Sequence, residues 1–163
     1  MADPQNPARA DRKIPPTLNT LYRELILDHY RKPRNKRALD DATHAITMNN
    51  PLCGDVIELL LRVEDGQIAE ACFLGRGCSI SQASASMLTG RVLNKTPAEV
   101  LELSKKFTQL LHGDESLLSD SDLGDLRALA GVSKFPVRIK CALLGWNCLD
   151  ELTEGEMIPT ESP

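Results

Sequence analysis

No stretch of this chain approaches the roughly 20 consecutive apolar residues that span a bilayer, and residues 1–17 contain no apolar signal core. Neither membrane insertion nor export is expected, which points to a cytoplasmic protein. Basic charge is not in excess either: 19 basic residues face 23 acidic ones for a net charge of −4, so no nucleic acid is held by a general electrostatic field. The sequence also lacks internal repeats and any Cys-x-x-Cys pair. Its five cysteines are an odd number without an export signal, which argues against a disulfide framework and for metal or thiol chemistry. At 163 residues the chain suffices for one domain with a real core.

Against that background, Cys53, Asp55, Cys78 and Cys141 each occupy a local sequence suited to a metal-bound group. Cys53 and Asp55 lie in Asn50-Pro51-Leu52-Cys53-Gly54-Asp55, where proline and glycine make a loop that can aim two ligands at one ion. Cys78 ends Gly75-Arg76-Gly77-Cys78 and abuts a helix start, which favours a thiolate. Cys141 follows Arg138-Ile139-Lys140, whose two cations stabilise sulfur anions, although both read equally well as solvated helix surface. Three sulfurs and one oxygen form a closed tetrahedral set suited to zinc, with carboxylate the minority ligand type.

Free cysteine is also a small buried hydrophobe, and that reading is the better one for Cys72, on a strand, and Cys148, on the last helix. Cys148 lies seven residues after Cys141, about 10 Å along one helix, too far for both to bind one ion through that helix. The Pro51 and Gly54 context favours metal or redox use of Cys53, while local sequence leaves Cys78 and Cys141 open between the two readings. Of the three histidines, His29 falls on an apolar helix face and reads as packing or partner contact; His112 sits at a helix end.

The pattern predicts an α+β domain, a small antiparallel sheet packed against several helices, spanning 18–153 between a flexible arm (1–17) and a C-terminal tail (154–163). Leu18, Leu21, Tyr22, Leu25, Ile26 and His29 recur at helical spacing up to Pro33. Residues 55–75 read as a hairpin around Glu64-Asp65-Gly66; a three-residue loop there sets Leu61 opposite Ala69, Leu59 opposite Ala71 and Ile57 opposite Phe73. Residues 44–49 supply a third strand. Ser79 with Gln82, and Thr96 with Glu99, fit capping boxes. The second of these helices stops at Gly113, a surface excursion covers 114–122, and a short helix follows over 123–130. The last helix, 136–152, has a stripe of Ile139, Ala142, Leu143, Trp146 and Leu149, with Cys141 roughly opposite and outside the main core.

Three segments carry a family likeness: Asn49 to Asp55, Gly75 to Ser86, and Arg138-Ile139-Lys140-Cys141-Ala142. Together they resemble the signature segments of the U-type iron-sulfur cluster assembly proteins, in order and at family-like separations, and the likeness runs from about Leu18 to Leu152. An extra segment of about twenty residues before the last cysteine, and Lys140 where scaffold members have histidine, resemble the SufU branch more than the IscU branch. Asp28, His29, Tyr30 and Pro33 are similar to the family's first helix.

The resemblance implies an accessory sulfurtransferase: a zinc-bound acceptor that takes persulfide sulfur from a pyridoxal-phosphate cysteine desulfurase of the SufS type and passes it to downstream iron-sulfur assembly scaffold proteins. Cys53, Asp55, Cys78 and Cys141 would hold the zinc, and Cys53 would accept the sulfur as a histidine of the desulfurase takes its place. Two alternatives stay open. One is a scaffold building a 2Fe-2S cluster on the same four residues; the other is a structural zinc domain used for binding, against which the acidic charge and the movable Cys53 both weigh.

Overall fold

The computed structural model describes residues 16–157; residues 1–15 of the expected arm and 158–163 of the expected tail lie outside the described residues. Helix α1 (Pro16–Arg31) is followed by strands β1 (His44–Asn50), β2 (Asp55–Glu64) and β3 (Gln67–Arg76). Then come α2 (Ser79–Arg91), α3 (Pro97–Leu111), two 3-10 stretches (Glu115–Ser119 and Ser121–Lys134), α4 (Pro136–Leu152) and a closing π turn (Thr153–Met157). The expected α+β class holds: the strands pair antiparallel in the order β1-β2-β3.

The hairpin corrects the expected register. Asp65 and Gly66 both have positive φ, 52° and 75°, and form a two-residue turn in which Glu64 pairs with Gln67. Such a turn alone would put apolar and polar side chains on the same face. A register shift between Arg62 and Val63 leaves Ala69 as one extra residue and restores the alternation, so Leu61 pairs with Ala71, Leu59 with Phe73 and Ile57 with Gly75. One sheet face thus contributes Ile57, Leu59, Leu61, Ala71 and Phe73 to the main core. The other carries Leu60 and Cys72 in a small cluster with Leu39.

Helix α2 is the axis of the molecule. Every residue from Ser81 to Thr89 is buried, a pattern with no solvent face. Its small side chains permit that depth: Ser84 Oγ donates to the Ala142 carbonyl at 2.6 Å and accepts from Trp146 Nε1 at 3.2 Å, tying α2 to α4. A side chain at Gly145 would reach ordinary contact with Ala85. Helix α4 is buried on more than one side as well, with Cys141, Leu144 and Cys148 joining the expected stripe. Cys141 is fully buried yet is not a member of the main core cluster, in keeping with the helical wheel; α4 packs against β1 and β2 as well as α2.

Of the two expected capping boxes, only that of Thr96 and Glu99 forms. At α2 the N-cap is Cys78, without a side-chain cap bond. Gln82 instead accepts from Lys36 Nζ at 3.0 Å, so its side chain is not available to the helix start. The segment 121–134 extends beyond the short helix expected over 123–130 and runs as 3-10 structure, with non-helical geometry at Gly124 (φ 52°, ψ −131°).

Candidate metal centre

Three chain segments meet at one end of α2. The first is the turn between β1 and β2. Asn50, itself buried, organises it: its backbone carbonyl accepts from the N–H groups of Cys53 and Gly54, and its side-chain oxygen accepts from Leu52 N–H at 3.1 Å. Its amide Nδ2 donates to Cys53 Sγ at 3.4 Å. Gly54 takes φ +73°, which closes the turn and sends the chain into β2 at Asp55. Cys53 stays half-buried while Asp55 is 1 % exposed.

The second segment delivers Cys78. Asp55 Oδ1 accepts the Cys78 N–H at 3.0 Å, placing a carboxylate at the positive end of α2 in place of the missing capping side chain. Gly77 is required by this approach, because a Cβ there would lie 2.4 Å from Asp55 Oδ1 and 2.6 Å from Ser81 Oγ. Gly75 answers a similar demand, with its Cβ position 2.0 Å from the Val56 carbonyl oxygen across the hairpin.

The third segment is the first turn and a half of α4, which brings Cys141. Its sulfur stands 3.2 Å from Cys53 Sγ; both are free thiols, too far apart for a disulfide of about 2.05 Å. Two thiolates on one tetrahedral zinc stand roughly 3.8 Å apart, so the observed pair is slightly more closed than a metal-bound one. The ligand atoms of Cys53, Asp55 and Cys141 all lie within 4.8 Å of one another. Cys78 is the outlying member, its sulfur 3.7 Å from Asp55 Oδ2.

The electrostatics fit a cation. Burial pushes the Cys141 thiol well above the ordinary range, and its contacts with Cys53 and Asp55 push it further in the same direction. A divalent ion bound here would displace the Cys141 proton and stabilise the thiolate that burial disfavours. Arg138 is exposed, and the charge of Cys78, then that of Cys141, raises its affinity for its proton. Lys140 is exposed too, but no contact ties it to the sulfurs.

The remaining candidates fall elsewhere. Cys72 and Cys148 are fully buried, and burial drives the Cys148 thiol to about 12, so both are core thiols as their sequence contexts suggest. Buried His29 bonds Ser86 Oγ at 2.8 Å and faces Asp125 Oδ2 at 3.4 Å. It joins α1 to α2 and to the 3-10 stretch, a packing role. Asn50 was not singled out from sequence, although an Asn preceding Pro is itself a turn signal. The role of Gly77 rests on a contact with Asp55 that no local pattern reveals.

Comparison with known proteins identifies the family. Residues 21–142 match the family model of the NifU-like N terminal domain. The chain is 50% identical over 135 residues to the zinc-dependent sulfurtransferase SufU of Bacillus subtilis (strain 168), covering 82% of this chain and 90% of that one. It is 42% identical over 134 residues to the iron-sulfur cluster assembly scaffold protein IscU of Streptococcus pyogenes serotype M1, covering 82% and 83%. Its fold is similar to a crystal structure from Fervidobacterium islandicum AW-1 described as a putative iron-sulfur cluster assembly scaffold protein for the SUF system. That match has a TM-score of 0.71 at 30% identity, covering 81% of this chain and 96% of that one. With most of its length matched by the family model and by relatives of this identity, the chain belongs to the NifU-like N-terminal domain family of iron-sulfur cluster assembly proteins.

Proposed function

We propose that this protein is a cytoplasmic zinc-bound sulfur acceptor of iron-sulfur cluster assembly. It takes persulfide sulfur from a pyridoxal-phosphate cysteine desulfurase of the SufS type and passes it to the scaffold proteins that build clusters. The observation that carries this reading is a buried carboxylate, Asp55, whose oxygen shares a space within 4.8 Å with the sulfurs of Cys53 and Cys141. Cys53, Asp55 and Cys141 would hold the metal, with Cys78, whose sulfur lies 3.7 Å from Asp55 Oδ2, as the fourth ligand. Bound zinc supplies the positive charge that keeps these sulfurs deprotonated at neutral pH.

Cys53 is the acceptor because it alone among the three sulfurs sits on a surface turn, between the exposed residues Leu52 and Gly54. Asp55 and Cys141 are held by a strand and a helix of the core and stay in place. The Cys53 thiolate attacks the terminal sulfur of the desulfurase persulfide. The donor S–S bond breaks with its electron pair on the desulfurase cysteine, and the new S–S bond forms at Cys53. The proton of the transferred sulfur travels with it, and no net oxidation occurs. Asn50 Nδ2, which already donates to Cys53 Sγ, orients the sulfur for this attack.

A scaffold reading is supported by the name of the Streptococcus pyogenes relative. Lys140 weighs against it, because the residue before Cys141 is then an exposed ammonium that cannot serve as a further cluster ligand. Metal analysis with a visible spectrum, followed by desulfurase turnover with and without the protein, separates the two. The sulfur-acceptor reading expects one zinc per chain, no colour, faster desulfurase turnover and a sulfur adduct on Cys53 by mass spectrometry. A coloured iron-sulfur species with no effect on turnover would overturn it.

A further inference from the structure

A cleft of about 280 Å³ lies between α1, the C-terminal end of α2 and the 3-10 stretch that begins at Ser121, and Arg34, Gly90, Arg91 and Asp125 are among its walls. Arg91 closes α2 at the end opposite Cys78, about 20 Å away by helical rise, so the cleft and the metal centre share a helix but no residue. The floor of the cleft is fixed. His29 Nδ1 bonds Ser86 Oγ at 2.8 Å, and that oxygen accepts the Arg34 backbone N–H at 2.8 Å; both side chains are buried. The Arg34 guanidinium pairs with Asp28 at 2.6 Å.

Two opposite charges on these walls have no counter-ion. Among the described residues, the half-buried Arg91 guanidinium donates to a backbone carbonyl, that of Asp122 at 3.1 Å, and to no carboxylate. Asp125 Oδ2 faces His29 Nε2 at 3.4 Å, but burial keeps the His29 pKa below the usual 6.5, so at neutral pH the ring brings Asp125 no positive charge. The two groups are neighbours that do not pair with one another. A Cβ on Gly124 would stand 2.3 Å from Arg91 Nη1, which lays the guanidinium against the backbone of the residue before Asp125. Gly124 permits this with φ 52° and ψ −131°, a conformation that residues with a side chain rarely adopt.

A ligand that carries both charges a few ångströms apart complements this arrangement. The carboxylate of an α-amino acid accepts two parallel bonds from an arginine fork, and its ammonium donates to a carboxylate. A simple anion gains the first contact but meets Asp125 as a like charge. The ligand's side chain has room above Gly90, where nothing lies within 4 Å of the position of a Cβ. The volume falls just below the roughly 300–1,000 Å³ of sites for drug-sized ligands, which suits an occupant this small.

We propose that this cleft binds a small free α-amino acid as its zwitterion, with the carboxylate on Arg91, the ammonium on Asp125 and the side chain over Gly90. The site is separate from the metal centre and does not depend on the sulfur-acceptor reading.

Chemical-shift titration of the isotopically labelled, zinc-loaded full chain provides the test, with L-alanine and L-serine as ligands and with acetate, methylammonium and inorganic phosphate as part-ligands. The two amino acids are expected to move the amide signals of Gly90, Arg91, Gly124 and Asp125 with a Kd of about 1 mM or tighter, and each part-ligand should bind about 10-fold more weakly or worse. Arg91→Gln and Asp125→Asn should each weaken amino-acid binding by about 10-fold or more. Gly90→Leu fills the open space and should abolish binding while the melting temperature is kept or raised, because leucine is the better helix former.

No movement of these signals up to about 20 mM amino acid, well past the expected Kd, would overturn the proposal. Phosphate or acetate binding as tightly as alanine would make the cleft an anion site and overturn it as well. Wild-type affinity in a folded Gly90→Leu chain, or in both charge variants, would place any binding elsewhere and sink it too. The Gly90→Leu result decides even where Asp125→Asn loosens the fold through its contact with His29.

Discussion

Asp55 meets two demands at once. One oxygen accepts the N–H that opens α2, and the carboxylate also faces the sulfurs of Cys53 and Cys141. Asp55→Ala should lower zinc affinity by about 10-fold or more, measured by competition with a chelating dye; unchanged affinity would remove Asp55 from the ligand set. Gly77→Ala should cost about 1–3 kcal/mol in denaturant unfolding, because φ is +157° and the new methyl would overlap the Asp55 carboxylate. The turn that leads from Cys53 into Asp55 was legible in the sequence because Pro51 and Gly54 mark it. The approach of Gly77 to Asp55, 22 positions apart in the chain, depends on strand pairing and was not. Nor was the outlying position of Cys78, whose sulfur lies 3.7 Å from Asp55 Oδ2 and outside the close group of Cys53, Asp55 and Cys141.

At the scale of elements, alternation identified the hairpin strands and helical spacing identified α1, α3 and α4, since both periods report which side faces the core, whereas α2, buried all round, was marked only at its start. Register was harder. The apolar sets of β2 and β3 match correctly only through the extra residue at Ala69, and a bulge leaves no mark in the alternation that a longer loop would not also leave. The two capping signals looked alike in sequence, but Lys36 holds Gln82 while nothing competes for Glu99. Thr96→Ala should therefore destabilise the protein by about 1 kcal/mol in denaturant unfolding. Removing the Ser79 hydroxyl should have little effect on the start of α2, where no side-chain cap bond forms. A helical wheel gives α4 one apolar stripe, whereas the helix packs against both the sheet and α2, so Cys141 is buried although it stands outside the main cluster.

For the molecule as a whole, His29 is a joint between α1, α2 and the 3-10 stretch that contains Asp125. Burial lowers its pKa below the usual 6.5, and the hydrogen bond to Asp125 opposes that shift only in part. The unfolded chain consequently binds the proton first on acidification, so the stability present above about pH 6.5 is lost as pH falls towards the folded-state value. His29→Gln lacks this ionisation and should show a shallower decline in stability below that pH, read from unfolding midpoints across a pH series. An equal slope in both proteins would show that His29 does not contribute.

The five thiols are divided by depth: Cys53 and Cys78 are half-buried, and Cys72, Cys141 and Cys148 are enclosed. A brief maleimide pulse on the metal-stripped native chain should modify the first two and spare the others until the interior opens. Label stoichiometry, counted by intact mass, then records unfolding from within the chain without any added dye.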